Sequence, residues 1–544
     1  LKKYCTGFDI ETKDYTINDS TDAIISDIFE KNPDVTAFSC YIWNVEKVLY
    51  ICECLKKADP KFITVLGGLE VSYDAKDVME KNGFIDFIIS GEGEIPFKSL
   101  LQTLQNGGDF KNVPSLTYRE NGKILQNEKL GLCDINSYPF VYDSADELKN
   151  KIVYYESSRG CPYNCSYCLS GEGNRVSFLD TARVKDELMF FINNNIPLVK
   201  FVDRTFNADR KRADEIFDFI IKNTKNTKFH CELAGDLITD KTLEILKNAP
   251  EGVIQFEIGV QSTNEKTISA IGRKIDFDNL KDKIVPLINL KTIHIHLDLI
   301  AGLPYEDIES FKKSFNDVIA LRPHMLQLGF LKVLKGSYMY EHAQEYDIRY
   351  HDRAPYEVLS TRWLPYSDVL RIKQVEEMLE VYYNSGQFEI SIKVIELFFA
   401  SAFGMFQKLG EFYERKGYFG MNHSRNRRAE ILLEFLQEEE KQKELLDMMQ
   451  EALTFDLYYR ENCKSRPAWA PDPSEFKKVT HLYCKNGKIS HVEPFHYVFP
   501  QKAERTLTAF PEYQKEPVWA LFHYDRRDPL DHQAEVEYVD GNVE

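Results

Sequence analysis

The chain has 544 residues, 43% hydrophobic and 28% charged, a balance that excludes disordered and fibrous proteins and fills about three or four domains. Sixty-eight Lys and Arg against eighty-six Asp and Glu leave a net charge of −18, which excludes nucleic-acid binding through bulk electrostatics but permits a local basic groove. No apolar run approaches the ~18 residues of a membrane span, and eleven cysteines without an export signal read as reduced thiols or metal ligands, so a cytoplasmic protein without membrane contact is expected.

Leu1–Cys5 reads as the end of a helix, and the chain is expected to lack a short preceding segment. Over residues 1–105, apolar runs rich in β-branched residues at 35–42, 62–66 and 84–89 alternate with segments of helical period at 44–57 and 94–104. That alternation predicts a doubly wound α/β domain around a buried parallel sheet. Ligands of such sheets sit beyond the carboxyl ends of the strands. The residues there are Ser39, Tyr41, Trp43 and Asn44, then Gly67, Gly68 and Glu70, then Gly91, Glu92, Gly93 and Glu94. A glycine at one such turn needs no explanation beyond backbone freedom; three turns on one sheet edge, with a Trp among them, point to a sizeable planar ligand. The GxGxxG dinucleotide fingerprint is absent.

Residues 106–150 read as a linker with a β-hairpin at Asn121-Gly122. A second alternating series over 151–345 has strand signals at 153–156, 199–203, 229–233, 253–260, 292–300 and 325–333, which predicts a partial (β/α)6 TIM-type barrel. Residues 346–544 form a helix-rich α+β domain of unassigned function, helical over 365–460 and strand-like at 479–483, 492–498 and 519–524, with a hairpin turn at Asn486-Gly487. Its aromatics and the basic segment His423–Arg428 read as packing rather than as a lid. Cys463 and Cys484 fall short of an auxiliary cluster.

One motif dominates. Cys161, Cys165 and Cys168, spaced Cys-x3-Cys-x2-Cys, follow the first strand of the second series. Soft thiolates on a curled loop suit iron or zinc. A structural zinc site takes four closed ligands, and no nearby fourth supplies one; three suit a 4Fe–4S cluster with one iron open. The bland alternative is three cysteines packed as small hydrophobes.

With Tyr167 before the last cysteine, this motif resembles the radical S-adenosylmethionine signature, and the likeness extends over 151–345. The preceding domain, through its three turns, resembles the cobalamin-binding domain of the cobalamin-dependent branch; no Asp-x-His-x-x-Gly motif offers a lower cobalt ligand. The resemblance implies a 4Fe–4S cluster on the three cysteines, with S-adenosylmethionine chelating the fourth iron and Tyr167 offering its backbone to the adenine. Gly171 and Glu172 stand near the family's Gly-Gly-Glu turn, one glycine short. Arg204, Glu232, Glu257, Gln261 and Asp298, at strand ends, are the remaining S-adenosylmethionine candidates; Arg204, Glu232, Glu257 and Asp298 alternatively read as salt-bridge or surface charges. His294 and His296 share one strand face and read as core histidines ahead of a metal pair.

The implied chemistry is reductive cleavage to a 5′-deoxyadenosyl radical, hydrogen removal from an unactivated carbon and methylation through cobalamin. An external flavodoxin- or ferredoxin-type donor supplies the electron, and the substrate is an unspecified small molecule or peptide. Three other readings stay open: rearrangement or cyclisation without methyl transfer, a methylthiotransferase, and a non-catalytic metal- or cobalamin-binding regulator.

Overall fold

The computed structural model describes residues 1–149, 151–171, 175–224, 226–439, 442–484, 489–499 and 510–541. In the N-terminal unit, β1 (Val35–Ser39), β2 (Ile63–Gly67) and β3 (Phe87–Ile89) run parallel. β4 (Leu116–Glu120) and β5 (Lys123–Gln126) extend the same sheet antiparallel, in the order 1-2-3-4-5. Successive side chains point to opposite faces. Val65, Phe87 and Ile89 meet Phe97 and Leu100 of helix Glu94–Asn106 on one side. Leu66 and Ile88 meet Val48 and Cys52 of helix Val45–Ala58 on the other. Both faces are covered, which is why these strands are apolar almost throughout.

The hairpin corrects the expected linker. Asn121 and Gly122 take φ of 51° and 75°, as a two-residue hairpin turn requires. However, β4 pairs with β3, Phe87 opposite Tyr118, and Leu116 and Tyr118 complete the core beneath helix Glu94–Asn106. Residues 116–126 therefore belong to the first sheet: an exposed edge on β3 would leave its backbone groups unpaired.

The second unit begins with β6 (Ile152–Tyr155) and a two-stranded ribbon of β7 (Ser158–Gly160) and β8 (Val176–Phe178). β9 (Leu198–Phe201), β10 (Lys228–Leu233), β11 (Ile254–Gln261), β12 (Ile293–Ala301) and β13 (Met325–Phe330) follow, each reached through a helical crossover. All six main strands are parallel in the order 13-12-11-10-9-6, with β6 and β13 at the edges: an open arc of a barrel. Phe201, Phe229 and Phe256 fill the space between sheet and helices against Phe206 and Phe217. Each buried ring contributes about 1.5–3 kcal/mol.

The other face of the arc is polar. On β12, Ile293, Ile295, Leu297 and Leu299 are fully buried toward the helices, while His294, His296 and Asp298 line the hollow. A packed barrel interior would carry branched aliphatics there.

The C-terminal region starts with the ribbon β14 (Arg349–Tyr350) and β15 (Val358–Ser360). Helices Tyr366–Leu379, Glu389–Glu396, Ala402–Lys416, Arg425–Glu439 and Lys443–Arg460 share one continuous core with the arc; Phe315 meets Phe403 edge-on at 5.4 Å. β16 (Ser490–Tyr497), β17 (Tyr513–Arg527) and β18 (Ala534–Val539) form an antiparallel sheet. The strand expected at 479–483 is instead helix Lys477–Tyr483. Val479 and Tyr483, four apart, both pack on Val492 and Leu521, while Leu482 is exposed; that is a helical face. The Asn486-Gly487 turn lies outside the described residues.

Candidate active site

The ribbon β7–β8 closes the loop that carries the three cysteines. Cys161 is buried, Cys165 half-buried and Cys168 exposed. Cys165 and Cys168 line a cleft of ≈ 360 Å³ together with Ser166, Gly272, Tyr338 and, from the first unit, Tyr73. Two backbone bonds clamp the loop: Ser166 N–H donates to the Ile271 carbonyl at 3.0 Å, and Met339 N–H to the Ser166 carbonyl at 2.9 Å. At Gly171 a Cβ would stand 1.9 Å from the Tyr163 carbonyl, so only glycine lets the loop fold back on itself. Glu172 lies outside the described residues.

Asp203 anchors this loop rather than facing the hollow. Its fully buried carboxylate accepts from Ser157 N–H and Oγ, both at 2.7 Å, and from Ser158 Oγ at 2.5 Å. Arg212 Nη2 donates to the Ser157 carbonyl at 2.9 Å. The end of β9 is thus tied to the two residues that lead into the ribbon.

Strand register brings the expected polar residues together. Glu232 stands beside Glu257, Glu257 beside His296, and Gly259 beside Asp298. Glu257 is held down to about 2, first by the His230 ring nitrogen at 3.3 Å and then by Lys200 at 3.7 Å. Burial pushes Glu232 up, and the neighbouring Glu257 charge adds to it. Burial raises Asp298 well above the carboxylate range. Its Oδ1 is buried without a hydrogen-bond partner although His296 Nε2 lies 3.2 Å away, because the angles are wrong. Gln261 sits at a bulge with φ of 71°, strained for a side-chain-bearing residue, and its Oε1 is also buried and unpaired. Buried polar atoms without partners mark a place where a ligand is expected. Arg204 is exposed, at the rim. His294 stacks near His324, ring centres 5.0 Å apart. Among the described residues no three His, Cys, Asp or Glu side chains converge on a single metal ion.

Arg273 went unnoticed in the sequence. It follows helix Glu265–Ala270 and reaches back over the end of β11: Nη1 donates to Tyr167 Oη at 3.4 Å and lies beside Gln261. The charge relations extend to Cys165 and Asp236. A lone arginine in a loop carries no spacing signal; only the fold places it beside the cysteines.

At the edge of the first sheet, Tyr41 and Trp43 stack at 4.6 Å with planes 6° apart, and Trp43 is 63% exposed. Ser39, Gly91 and Gly93 border the same edge with open space around the two glycines; Gly67 ends β2. Gly68 (φ 104°) admits no side chain, since a Cβ would lie 2.4 Å from the Cys40 carbonyl. The polar members of these turns have protein partners, although Glu92 Oε1 is buried without one. Asn44 Oδ1 accepts from Tyr41 N–H at 2.8 Å and its Nδ2 donates to the Ser39 carbonyl. Glu70 accepts from Tyr356 Oη and lies 3.6 Å from Lys335, which pairs with Asp74 at 2.9 Å. Arg159 bridges Glu92 at 3.1 Å, Glu94 at 3.0 Å and Glu156 at 2.7 Å. Asn44, Glu70, Glu92 and Glu94, expected to hold a ligand, thus brace the turn or bind the first unit to the second. These pairs are partly buried, where a charge-assisted bond is worth more than at the surface.

Below the rim, Glu306 is buried under Ser262 and Ser314, whose hydroxyls donate at 2.6 and 3.0 Å. Burial pushes it to about 7, with Asp307 adding and the hydroxyls opposing. A carboxyl whose folded pKa exceeds its unfolded value stabilises the fold below the unfolded pKa and loses that contribution as pH rises through about 7. The expected loss between pH 4.5 and 7.5 is about 3 kcal/mol. Melting curves of Glu306→Gln should lack this fall; an unchanged pH slope refutes the assignment.

Two domain models match the chain: the radical SAM superfamily over residues 155–318 and the B12 binding domain over 1–101. A B12 binding domain and a radical SAM superfamily domain thus follow one another in this chain. A third model, a protein of unknown function (DUF4080), covers 344–524. The cobalamin-dependent radical SAM methyltransferase TokK of Streptomyces tokunonensis is 26% identical, over 55% of this chain and 47% of that one. The 2-(S-pantetheinyl)-carbapenam-3-carboxylate methyltransferase of Streptantibioticus cattleyicolor is 25% identical, over 54% and 46%. The chain spans about half the length of these relatives. The solved structure of the radical S-adenosylmethionine methyltransferase TsrM from Kitasatospora setae matches with TM-score 0.51 at 16% identity, over 60% of this chain and 68% of that one; this likeness shows the fold.

The two domains imply a 4Fe–4S cluster, S-adenosylmethionine and cobalamin. The residues present fit. An all-sulfur donor set on one clamped loop suits iron–sulfur ligation. The unpaired Asp298 and Gln261 oxygens beside it await hydrogen-bond donors, and Arg273 awaits an anion. No helix among the described residues is long and apolar enough to cross a membrane.

Proposed function

We propose that the chain is a cobalamin-dependent radical S-adenosylmethionine enzyme that methylates an unactivated carbon of a small-molecule or peptide substrate. The supporting observation is that turns of the first sheet are bound to the second unit next to the three-cysteine loop, by Arg159, two residues before Cys161, and by Lys335. When bound, the cofactors supply a reducing electron, a carbon radical that takes a hydrogen atom, and a methyl group. The protein's own residues bind, orient and exclude water.

In this reading Cys161, Cys165 and Cys168 hold the cluster. Arg273 takes the methionine carboxylate through its planar fork. Glu232, Gln261 and Asp298 take the amine and the ribose hydroxyls, Tyr167 and Gly171 border the adenine, and Arg204 guards the rim. Glu257, neutralised by His230 and Lys200, shapes the hollow. Ser39, Tyr41, Trp43, Gly91 and Gly93 face the corrin, Gly67 and Gly68 shape the turn beneath it, and Asn44, Glu70, Glu92 and Glu94 hold that edge in place. The donor is of the flavodoxin or ferredoxin type, and neither membrane nor nucleic acid is a partner. The setting is the cytoplasm. The polar hollow gives a methylating enzyme room for a hydrogen-bonding substrate.

The test is anaerobic reconstitution with iron and sulfide, addition of hydroxocobalamin, and detection of 5′-deoxyadenosine and a methylated product. One bound zinc, no brown chromophore and no 5′-deoxyadenosine would sink the reading; 5′-deoxyadenosine with an unmethylated, rearranged product would replace methylation by isomerisation. Within it, Trp43→Ala should weaken hydroxocobalamin about tenfold in a visible titration, since losing most of one aromatic contact costs about 1.4 kcal/mol. Unchanged affinity would move the corrin elsewhere.

A further inference from the structure

Thr205 is buried just past the end of β9, in the chain that Asp203 ties to the cysteine loop. Its Oγ1 lies 3.4 Å from Cys161 Sγ and 2.8 Å from the Arg204 carbonyl oxygen. The next residues hold it there: Phe206 is sealed in the aromatic core, and Asn207 exchanges two bonds with Ala234, Nδ2 to the carbonyl at 2.8 Å and N–H to Oδ1 at 2.9 Å. The hydroxyl therefore keeps its distance to the sulfur whatever the loop does beyond Cys161.

A threonine hydroxyl has one proton and can accept as well. While Cys161 is a thiol, both bonds are satisfied in a chain: S–H donates to Oγ1, and O–H donates to the Arg204 carbonyl. A cysteine that ligates iron has lost its proton. The sulfur then has nothing to donate, and an Oγ1 that kept its bond to Arg204 would face it lone pair to lone pair. Rotation of the O–H toward sulfur removes that repulsion and makes a charge-assisted bond, about twice as strong as a neutral one. Cys168 differs: it receives the backbone N–H of Ser170 at 3.4 Å, a bond no side-chain replacement removes.

We propose that Thr205 donates a hydrogen bond to the Cys161 thiolate in the loaded enzyme and thereby sets the reduction potential of the cluster. The inference rests on the proposed function only in taking Cys161 as an iron ligand. Thr205 acts through Cys161 and is a positioning residue. A hydrogen bond to a ligand sulfur favours the electron-richer state, so its removal makes reduction harder.

The experiment is a redox titration of the reconstituted holoenzyme, followed by electron paramagnetic resonance, for wild type, Thr205→Val and Thr205→Ser. Iron and sulfide counts on the same samples separate the two ideas. If wild type takes up no cluster, the proposed function fails. If wild type and Thr205→Val carry equal iron, the expected result is about a tenfold shift toward the oxidised cluster in the valine variant. That is about 59 mV for one electron, with the serine variant at the wild-type potential. Equal potentials in the two fully loaded proteins overturn the inference. Thr205→Ala, which leaves the loop free of added methyl groups, gives the same reading if the valine variant binds no iron; a wild-type potential there is equally decisive.

Discussion

Replacing Cys161, Cys165 and Cys168 together with Ala is expected to give a folded protein that takes up no iron–sulfur cluster and forms no 5′-deoxyadenosine. Folding should survive because the loop's anchors lie elsewhere: Asp203 on Ser157 and Ser158, and the backbone clamps of Ser166 to Ile271 and Met339. Cys168 is exposed and Cys165 half-buried, so their truncation removes little buried surface. Only Cys161 leaves a small cavity, worth about 1 kcal/mol. Circular dichroism and melting temperature should therefore stay near wild type while iron, sulfide and the brown absorption vanish. Reductive cleavage of S-adenosylmethionine by this variant would overturn the central assignment. Retained iron with lost cleavage would instead move the ligands to other cysteines.

The second large effect is expected at Arg273. Among the described residues its guanidinium has one side-chain hydrogen bond, the 3.4 Å contact to Tyr167 Oη, and it stands against the Cys165 end of the loop. Hydrogen bonds to a charged partner contribute about 1.5–3 kcal/mol, so Arg273→Leu should weaken S-adenosylmethionine binding roughly 10- to 150-fold with the iron content unchanged. Arg273→Lys keeps the charge but loses the planar fork and should recover part of the affinity. Equilibrium dialysis on the reconstituted protein reads this directly. If the leucine variant binds as tightly as wild type, the carboxylate is held elsewhere; loss of iron in that variant would show that Arg273 supports the loop.

How much could be read along the chain depends on whether the signal is local. The cysteine spacing is local, as is the alternation of apolar runs and helical segments over 35–106 and 152–330, and both units were legible from them. The turn at Asn121-Gly122 was legible for the same reason, because two adjacent residues with positive φ have a short composition signature. Its pairing to β3 was not, since nothing in residues 116–126 states which edge they will cover. Val479–Tyr483 was misread because a short segment with four apolar or β-branched residues in five suits a strand as well as a helix. The decision came from the side on which Val492 and Leu521 stand.

The candidate site divides in the same way. Glu232, Glu257 and Asp298 could be picked out as charges at strand ends, but their unlike states follow from register. Glu257 has His230 and Lys200 beside it, whereas Asp298 is dominated by burial and by the Glu257 and Glu232 charges, with His296 close but ill-aligned. Glu70, Glu92 and Glu94, expected at a cofactor, reach Tyr356, Lys335 and Arg159, residues 65 or more positions away along the chain. Arg273 and Thr205 had no motif to announce them.

By itself, then, the sequence determined the two alternating units, the thiolate donor set and the open edge of glycines and aromatics, because periodicity, spacing and turn chemistry act over a few residues. Tertiary structure alone decided which carboxylates line the hollow and which bind one unit to the next, and which arginine and which hydroxyl stand beside the sulfurs. Those outcomes depend on distances of about 3 Å between residues far apart in the chain, and hydrogen bonds and ion pairs discriminate at that range.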